Sequence, residues 1–182
     1  MLAAAFLDST QASESEPAGS FVNPIIPGFH ADPSICRVGD DYYIVHSSFE
    51  YFPGVPIFHS KDLVNWEQIG HVLTRKSQLN VEKIRSSAGI YAATIRHHNG
   101  TFYMITTLVG TGNFYVTATN AAGPWSDPIW LDKAGIDPSL FFDEDGKVYF
   151  TRQADGERGY SGQQLLNLQT GKLEGEMKEL WR

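Results

Sequence analysis

NPIIPGFHADPS, residues 23–34, is the stretch on which the reading of the whole chain turns. Pro24, Pro27 and Pro33 fix their own φ and push the residue before each away from the helical region, and Gly28 marks a turn. Asp32 therefore lies on a restricted, non-helical backbone that pins its carboxylate. The same three letters return at Asp137, Pro138 and Ser139, again opening a short apolar run.

Outward from Asp32 the pattern is strand, tight turn, strand. Strands are predicted over residues 35–38 and 42–47 around Gly39-Asp40-Asp41, over 55–60 after the Phe52-Pro53-Gly54 turn, and over about 66–73. The unit then recurs. Residues 92–95 lead through Asn99-Gly100, a hairpin turn that needs positive φ, to a strand over 102–105. Asp32 to Tyr43 and Ala92 to Tyr103 both span 11 positions (43 − 32 and 103 − 92). Asp137 to Tyr149 spans 12 (149 − 137), the extra residue falling in the Asp143-Glu144-Asp145-Gly146 turn. SKDLVNW and TNAAGPW place Trp66 and Trp125 at 34 and 33 positions after Asp32 and Ala92 (66 − 32 and 125 − 92). In the third copy, residues 164–168 and the turn at 169–172 match the third strand and its exit. Self-similar four-strand units at this spacing predict an all-β propeller, with a plain meander or sandwich as the alternative. The first strand of each propeller unit is innermost, so Asp32, Ala92 and Asp137 are expected to face one axial pocket.

Composition agrees and removes other classes. With 42% hydrophobic and 13% aromatic residues, 17 Gly and 9 Pro, the chain suits a turn-rich β protein. A net charge of −7 argues against a nucleic-acid groove, which needs clustered Lys and Arg. No apolar run reaches the length of a transmembrane helix, so no membrane partner is expected. Cys36 is the sole cysteine, which excludes an intrachain disulfide and a cysteine zinc cluster. His97 and His98 are adjacent on a strand and so point to opposite faces, which favours a hairpin tip over a metal site. Residues 1–20 combine a short apolar start lacking a basic region with the polar DSTQASESEPAGS. They read as a flexible leader or a degenerate secretion signal, hence an extracellular protein, with a cytoplasmic one as the alternative.

Three ordered segments, NPIIPGFHADPSICRVGDDYY (23–43), FPGVPIFHSKDLVNWEQIGHVL (52–73) and GIDPSLFFDEDGKVYF (135–150), resemble glycoside hydrolase family 43. That family comprises five-bladed β-propellers and includes β-xylosidases and α-L-arabinofuranosidases. The likeness covers residues 21–182, which it makes an incomplete propeller of about three blades. It implies an inverting hydrolase of xylan- or arabinan-type oligosaccharides, with an oligosaccharide as partner and no cofactor required. A structural calcium occurs in the family, but no ligand set for it stands out in these blades.

Residue by residue, the resemblance makes Asp32 the general base and Asp137 the second aspartate, which orients the acid and raises its pKa. The physics is that a nearby negative charge disfavours ionisation of another carboxyl group. Phe49, in SSFEYFPG, corresponds to an aromatic of the pocket wall. Tyr91, in GIYAAT, stands where the family usually has tryptophan, and Ala92-Ala93 where it usually has Ala-Pro. His30 is placed to hydrogen-bond in the pocket. Taken without the family, both aspartates also read as strand-opening turn residues, the two aromatics as core, and His30 as a structural histidine.

The family's general acid is a glutamate in a motif like Glu-Gly-Pro or Glu-Ala-Pro at the start of the fourth blade, and no such motif occurs through Arg182. Glu174, Glu176 and Glu179 fall too early and in a polar hairpin context. The expectation is that these 182 residues lack the proton donor and are inactive alone, with open strand edges that favour self-association. A non-catalytic carbohydrate-binding or scaffold propeller is the competing reading.

Overall fold

A computed structural model describes residues 19–131, 135–154 and 159–182, so nearly all of the leader lies outside the described residues. The described residues form strands and turns, and none forms a helix long and apolar enough to cross a membrane.

Twelve strands group into three four-stranded antiparallel meanders. The first holds β1 (Ser34–Val38), β2 (Asp41–Val45), β3 (Gly54–Ser60) and β4 (Glu67–Leu73). The second holds β5 (Thr94–His98), β6 (Thr101–Leu108), β7 (Gly112–Ala118) and the two-residue β8 (Ile129–Trp130). The third holds β9 (Ile136–Phe142), β10 (Val148–Ala154), β11 (Tyr160–Asn167) and β12 (Lys172–Trp181). Each meander is one blade, and β1, β5 and β9 pack side by side as the inner strands of a propeller.

Local chemistry accounts for the elements. Asn99 and Gly100 have φ of 49° and 75°, the paired left-handed residues that a two-residue hairpin demands, and they hold His98 opposite Thr101. The two tryptophans are equivalent, as their spacing predicts. The Trp66 indole N–H donates to the Leu63 carbonyl at 3.0 Å, and the Trp125 indole N–H to the Ala121 carbonyl at 3.2 Å. The outer strand of the second blade, however, is only two residues long, and Trp125, four residues before it, is buried in the core.

Two apolar clusters lie at the seams between blades. One joins Val45, Val55, Ile57 and Leu73 of the first blade to Ile95, Met104, Phe114 and Val116 of the second. The other joins Ile105 and Tyr115 of the second to Leu140, Val148, Phe150 and Leu166 of the third. Each such fully buried side chain contributes about 1.5–3 kcal/mol, so the seams hold the three openings in fixed relation.

Candidate active site

Alignment by strand register makes the three blade openings equivalent. Ser34, Thr94 and Ser139 pair with Val45, Ile105 and Thr151, so Asp32, Ala92 and Asp137 each lie two residues before the same paired position. Asp32 and Asp137 adopt the same left-handed backbone, with φ of 54° and 55°. That region is sparsely used by non-glycine residues, aspartate being among those that tolerate it best. Ala92 is not among the positive-φ residues, so the middle opening lacks both the carboxylate and the conformation.

The remainder of the motif ties blades together. The Ser34 hydroxyl accepts a hydrogen bond from the Ile95 N–H at 3.2 Å, across from β1 to β5. Arg96, half-buried on β5, reaches the Ser139 hydroxyl on β9 at 3.4 Å and its own Ile95 carbonyl at 2.8 Å. Burial holds the Arg96 guanidinium below its usual range. The same burial pushes the neighbouring Cys36 thiol up to about 11, against the pull of Arg96, so Cys36 is an unreactive thiol. In both copies of Asp-Pro-Ser, then, the serine serves the inner-strand seam and the aspartate is left for the opening.

The two aspartates differ in surroundings. Both side chains keep an exposed surface. The Ser47 hydroxyl donates to Asp32 Oδ2 at 2.5 Å, and the Ser47 backbone N–H donates to the Ala31 carbonyl at 3.0 Å. Asp137 is raised above the usual carboxylate range, first by desolvation and then by the negative charge of Asp32. Solvent on its exposed side screens both effects. Asp32 and Asp137 open the first and third inner strands, on either side of β5, and the charge of Asp32 still bears on Asp137.

The predicted aromatics come together, with Phe49 two residues after Ser47. Phe49, itself at φ 48°, makes a two-way backbone bridge with Ile90, each N–H donating to the other's carbonyl at 2.9 Å. Its ring meets Tyr91 edge-on at 5.9 Å and Phe29 at 5.8 Å, and Phe29 is 77% exposed. The Tyr91 hydroxyl donates to the Ser87 carbonyl at 3.2 Å. Gly89 makes this close approach workable. A Cβ there would lie 2.1 Å from the Phe49 carbonyl oxygen, and its φ of +92° suits glycine alone.

His30 hydrogen-bonds the Pro27 carbonyl at 3.2 Å, and its ring packs on His46 at 4.7 Å and edge-on to Phe58 at 5.3 Å. It therefore stiffens the loop that carries Asp32. His46 lies beneath, 2% exposed, with neither ring nitrogen hydrogen-bonded. Burial, then the His30 ring, hold its pKa down at about 4, outweighing the nearby His30 backbone that favours the charged ring. The register places Thr106 and Arg152 at the equivalent sites of the other blades.

Glutamates in the described residues take other positions. Glu50 follows Phe49, but its carboxyl is held below the usual range, chiefly by its own backbone N–H and also by Ser87 and Ser86. Glu174, Glu176 and Glu179 lie on β12, the strand farthest from β9 in its sheet. Among the described residues no three His, Cys, Asp or Glu side chains gather as metal ligands. His97 packs on Phe102 at 4.6 Å and His98 stacks on Phe142 at 4.5 Å, apart from each other as the strand geometry requires.

Sequence reading missed Ser47, His46 and Arg96. Ser47 and His46 fall at the end of the second predicted strand with no motif of their own, and Arg96 is one cation in an otherwise plain strand.

The candidate site is thus two coupled carboxyls at inner-strand openings, with Phe29, Phe49 and Tyr91 forming a row of aromatic rings. The chain belongs to the glycosyl hydrolases family 43, whose model matches residues 21–182. It is 57% identical over 172 residues to a xylosidase/arabinosidase of Butyrivibrio fibrisolvens, covering 88% of this chain and 33% of that protein. It is 56% identical over 136 residues to the non-reducing end α-L-arabinofuranosidase BoGH43B of Bacteroides ovatus, covering 72% of this chain and 26% of that one. The crystal structure of a xylan β-1,4-xylosidase from Bacillus halodurans superposes with a TM-score of 0.85 at 44% identity, over 89% of this chain and 34% of that one. The chain thus spans about a quarter to a third of the length of these relatives.

Proposed function

We propose that the whole protein carrying this chain is an inverting glycoside hydrolase that releases xylosyl or arabinofuranosyl units from xylan- or arabinan-type oligosaccharides. Asp32 acts as the general base and Asp137 as the charge that orients the proton donor and raises its pKa. The observation that carries this reading is the pair of aspartates on one left-handed backbone conformation, at the openings of the first and third inner strands and electrostatically coupled.

Inversion needs a carboxylate to activate water on one face of the sugar and a carboxylic acid to protonate the leaving oxygen on the other, with about 6.5–9.5 Å between them. Asp32 suits the first task. Ser47 occupies its Oδ2, which leaves Oδ1 for a water, and the proline-bound loop fixes its direction. Asp137 suits the second indirectly, since its charge beside a third carboxyl would keep that group protonated. Phe49 and Tyr91 offer ring faces and edges for a sugar, with less area at Tyr91 than tryptophan would give.

No Glu-Gly-Pro or Glu-Ala-Pro motif occurs in these 182 residues, so alone they should release little or no nitrophenol from p-nitrophenyl β-xyloside or p-nitrophenyl α-L-arabinofuranoside. The whole protein should turn over at least one of the two. Rapid turnover by the short chain, lost on D32N, would mean that the donor lies within these blades. A whole protein that binds xylo-oligosaccharide or arabino-oligosaccharide but hydrolyses neither substrate would favour the binding-module reading instead.

A further inference from the structure

Ser47 stands out among the groups around Asp32 because it makes two contacts with one short loop while being 6% exposed. Its backbone N–H holds the Ala31 carbonyl at 3.0 Å and its hydroxyl holds Asp32 Oδ2 at 2.5 Å. It follows β2, the strand paired with β1, so its own position is set by the blade and not by the loop. The loop needs such a hold. Asp32 lies at φ 54°, a conformation that costs about 1–2 kcal/mol for an L-residue, and it is exposed. Without a partner, an exposed carboxylate has rotamers to choose among, and a base that swings loses the water geometry that makes it a base.

We infer that Ser47 is a positioning residue for the reaction, locking the Asp32 carboxylate with one oxygen engaged so that the other alone is presented to the water. The assignment rests on the general-base reading of Asp32 above. The hydroxyl is a neutral donor, so it orients the carboxylate without adding charge to the opening. The equivalent register position in the second blade is Thr107, whose hydroxyl donates to Asn113 at 2.6 Å, so the position is used for a side-chain hydroxyl bond there as well, but with no carboxylate to hold.

The test is steady-state kinetics of the whole protein on its preferred p-nitrophenyl glycoside, with variants S47A, S47C and S47T beside D32N. S47A should lower kcat about 10- to 100-fold, the range expected when one hydrogen bond to a charged group is lost, with KM changed less than about twofold. S47C keeps nearly the same volume with a weak donor and should fall close to S47A, whereas S47T keeps the hydroxyl and should recover most of kcat. A purely structural role would instead lower the melting temperature of S47A and leave kcat of the folded fraction intact. That result, or an S47C as fast as the parent, overturns the inference; if S47A does not fold, S47C and S47T decide it alone. D32N separates the two layers. Should D32N retain parental activity, the general-base reading itself fails, whereas an inert D32N with an unimpaired S47C rejects only the role of Ser47.

Discussion

The first and third blades open on the same three residues in the same backbone conformation, yet they prepare their carboxyls for different work. At Asp32 a buried hydroxyl from the paired strand engages one oxygen. At Asp137 desolvation and the charge of Asp32 push the group toward its protonated form. Beneath Asp32 the register puts the buried, neutral His46, and beneath Asp137 the buried Arg152. The same motif thus holds both carboxyls alike, while their surroundings, Ser47 for one and burial with the Asp32 charge for the other, set them apart.

The widest separation between the two should appear in activity. D32N removes the group that activates water and should lower kcat/KM of the whole protein by about 10³-fold or more, within the range of general-base loss combined with lost orientation. D137N leaves the base in place and removes only a tuning charge, so its loss should be smaller, on the order of 10- to 100-fold. Parallel kinetics of the two variants on one substrate measure the gap. Equal losses would dissolve the distinction between the openings.

Much of this comparison was legible in the sequence, and the reason is physical. Strand alternation, the turn letters and the matching offsets of Tyr43, Tyr103 and Tyr149 are local signals, and they gave the three blades and the place of both aspartates. Phe49 and Tyr91 were likewise singled out, and their rings do meet. What distinguishes Asp32 from Asp137 was not legible, because it depends on partners far along the chain: Ser47 for Asp32, and Asp32 itself for Asp137. The left-handed φ was hidden too, since a residue before proline is expected to be extended. The serines of the motif carried no readable role until Ile95 and Arg96 were seen to meet them from another blade.

Acid stability offers a sharper view of the first opening. His46 is folded in with its pKa lowered from 6.5 to about 4, so burial of the neutral ring contributes its full stability above pH 6.5. That contribution is lost as pH falls through the window from 6.5 to about 4, because the unfolded chain takes up a proton that the folded one refuses. The loss runs up to about 1.4 kcal/mol per pH unit. His71 is lowered in the same direction by burial, so the comparison must be made against a variant and not against a neutral-pH reference alone. His46→Leu should flatten the fall in urea-unfolding free energy between pH 6.5 and 4. An unchanged pH slope would show that the ring beneath Asp32 titrates freely.

The smallest effect belongs to the third opening and runs in the opposite direction. The Asp137 carboxyl is raised in the folded state, so ionising it costs more there than in the unfolded chain. That cost is absent below the unfolded value of 3.8 and is fully present once the pH exceeds the folded value. Asparagine carries no such cost. D137N should therefore melt slightly higher than the parent at pH 7, by about 1–3 °C given the screening at an exposed side chain, and the difference should vanish near pH 3. D32N should produce part of the same gain, because it removes the charge that opposes Asp137, and the two gains together should sum to less than their separate values. Full additivity would mean that the two carboxyls do not sense each other, and the shared site would then reduce to two independent turn residues.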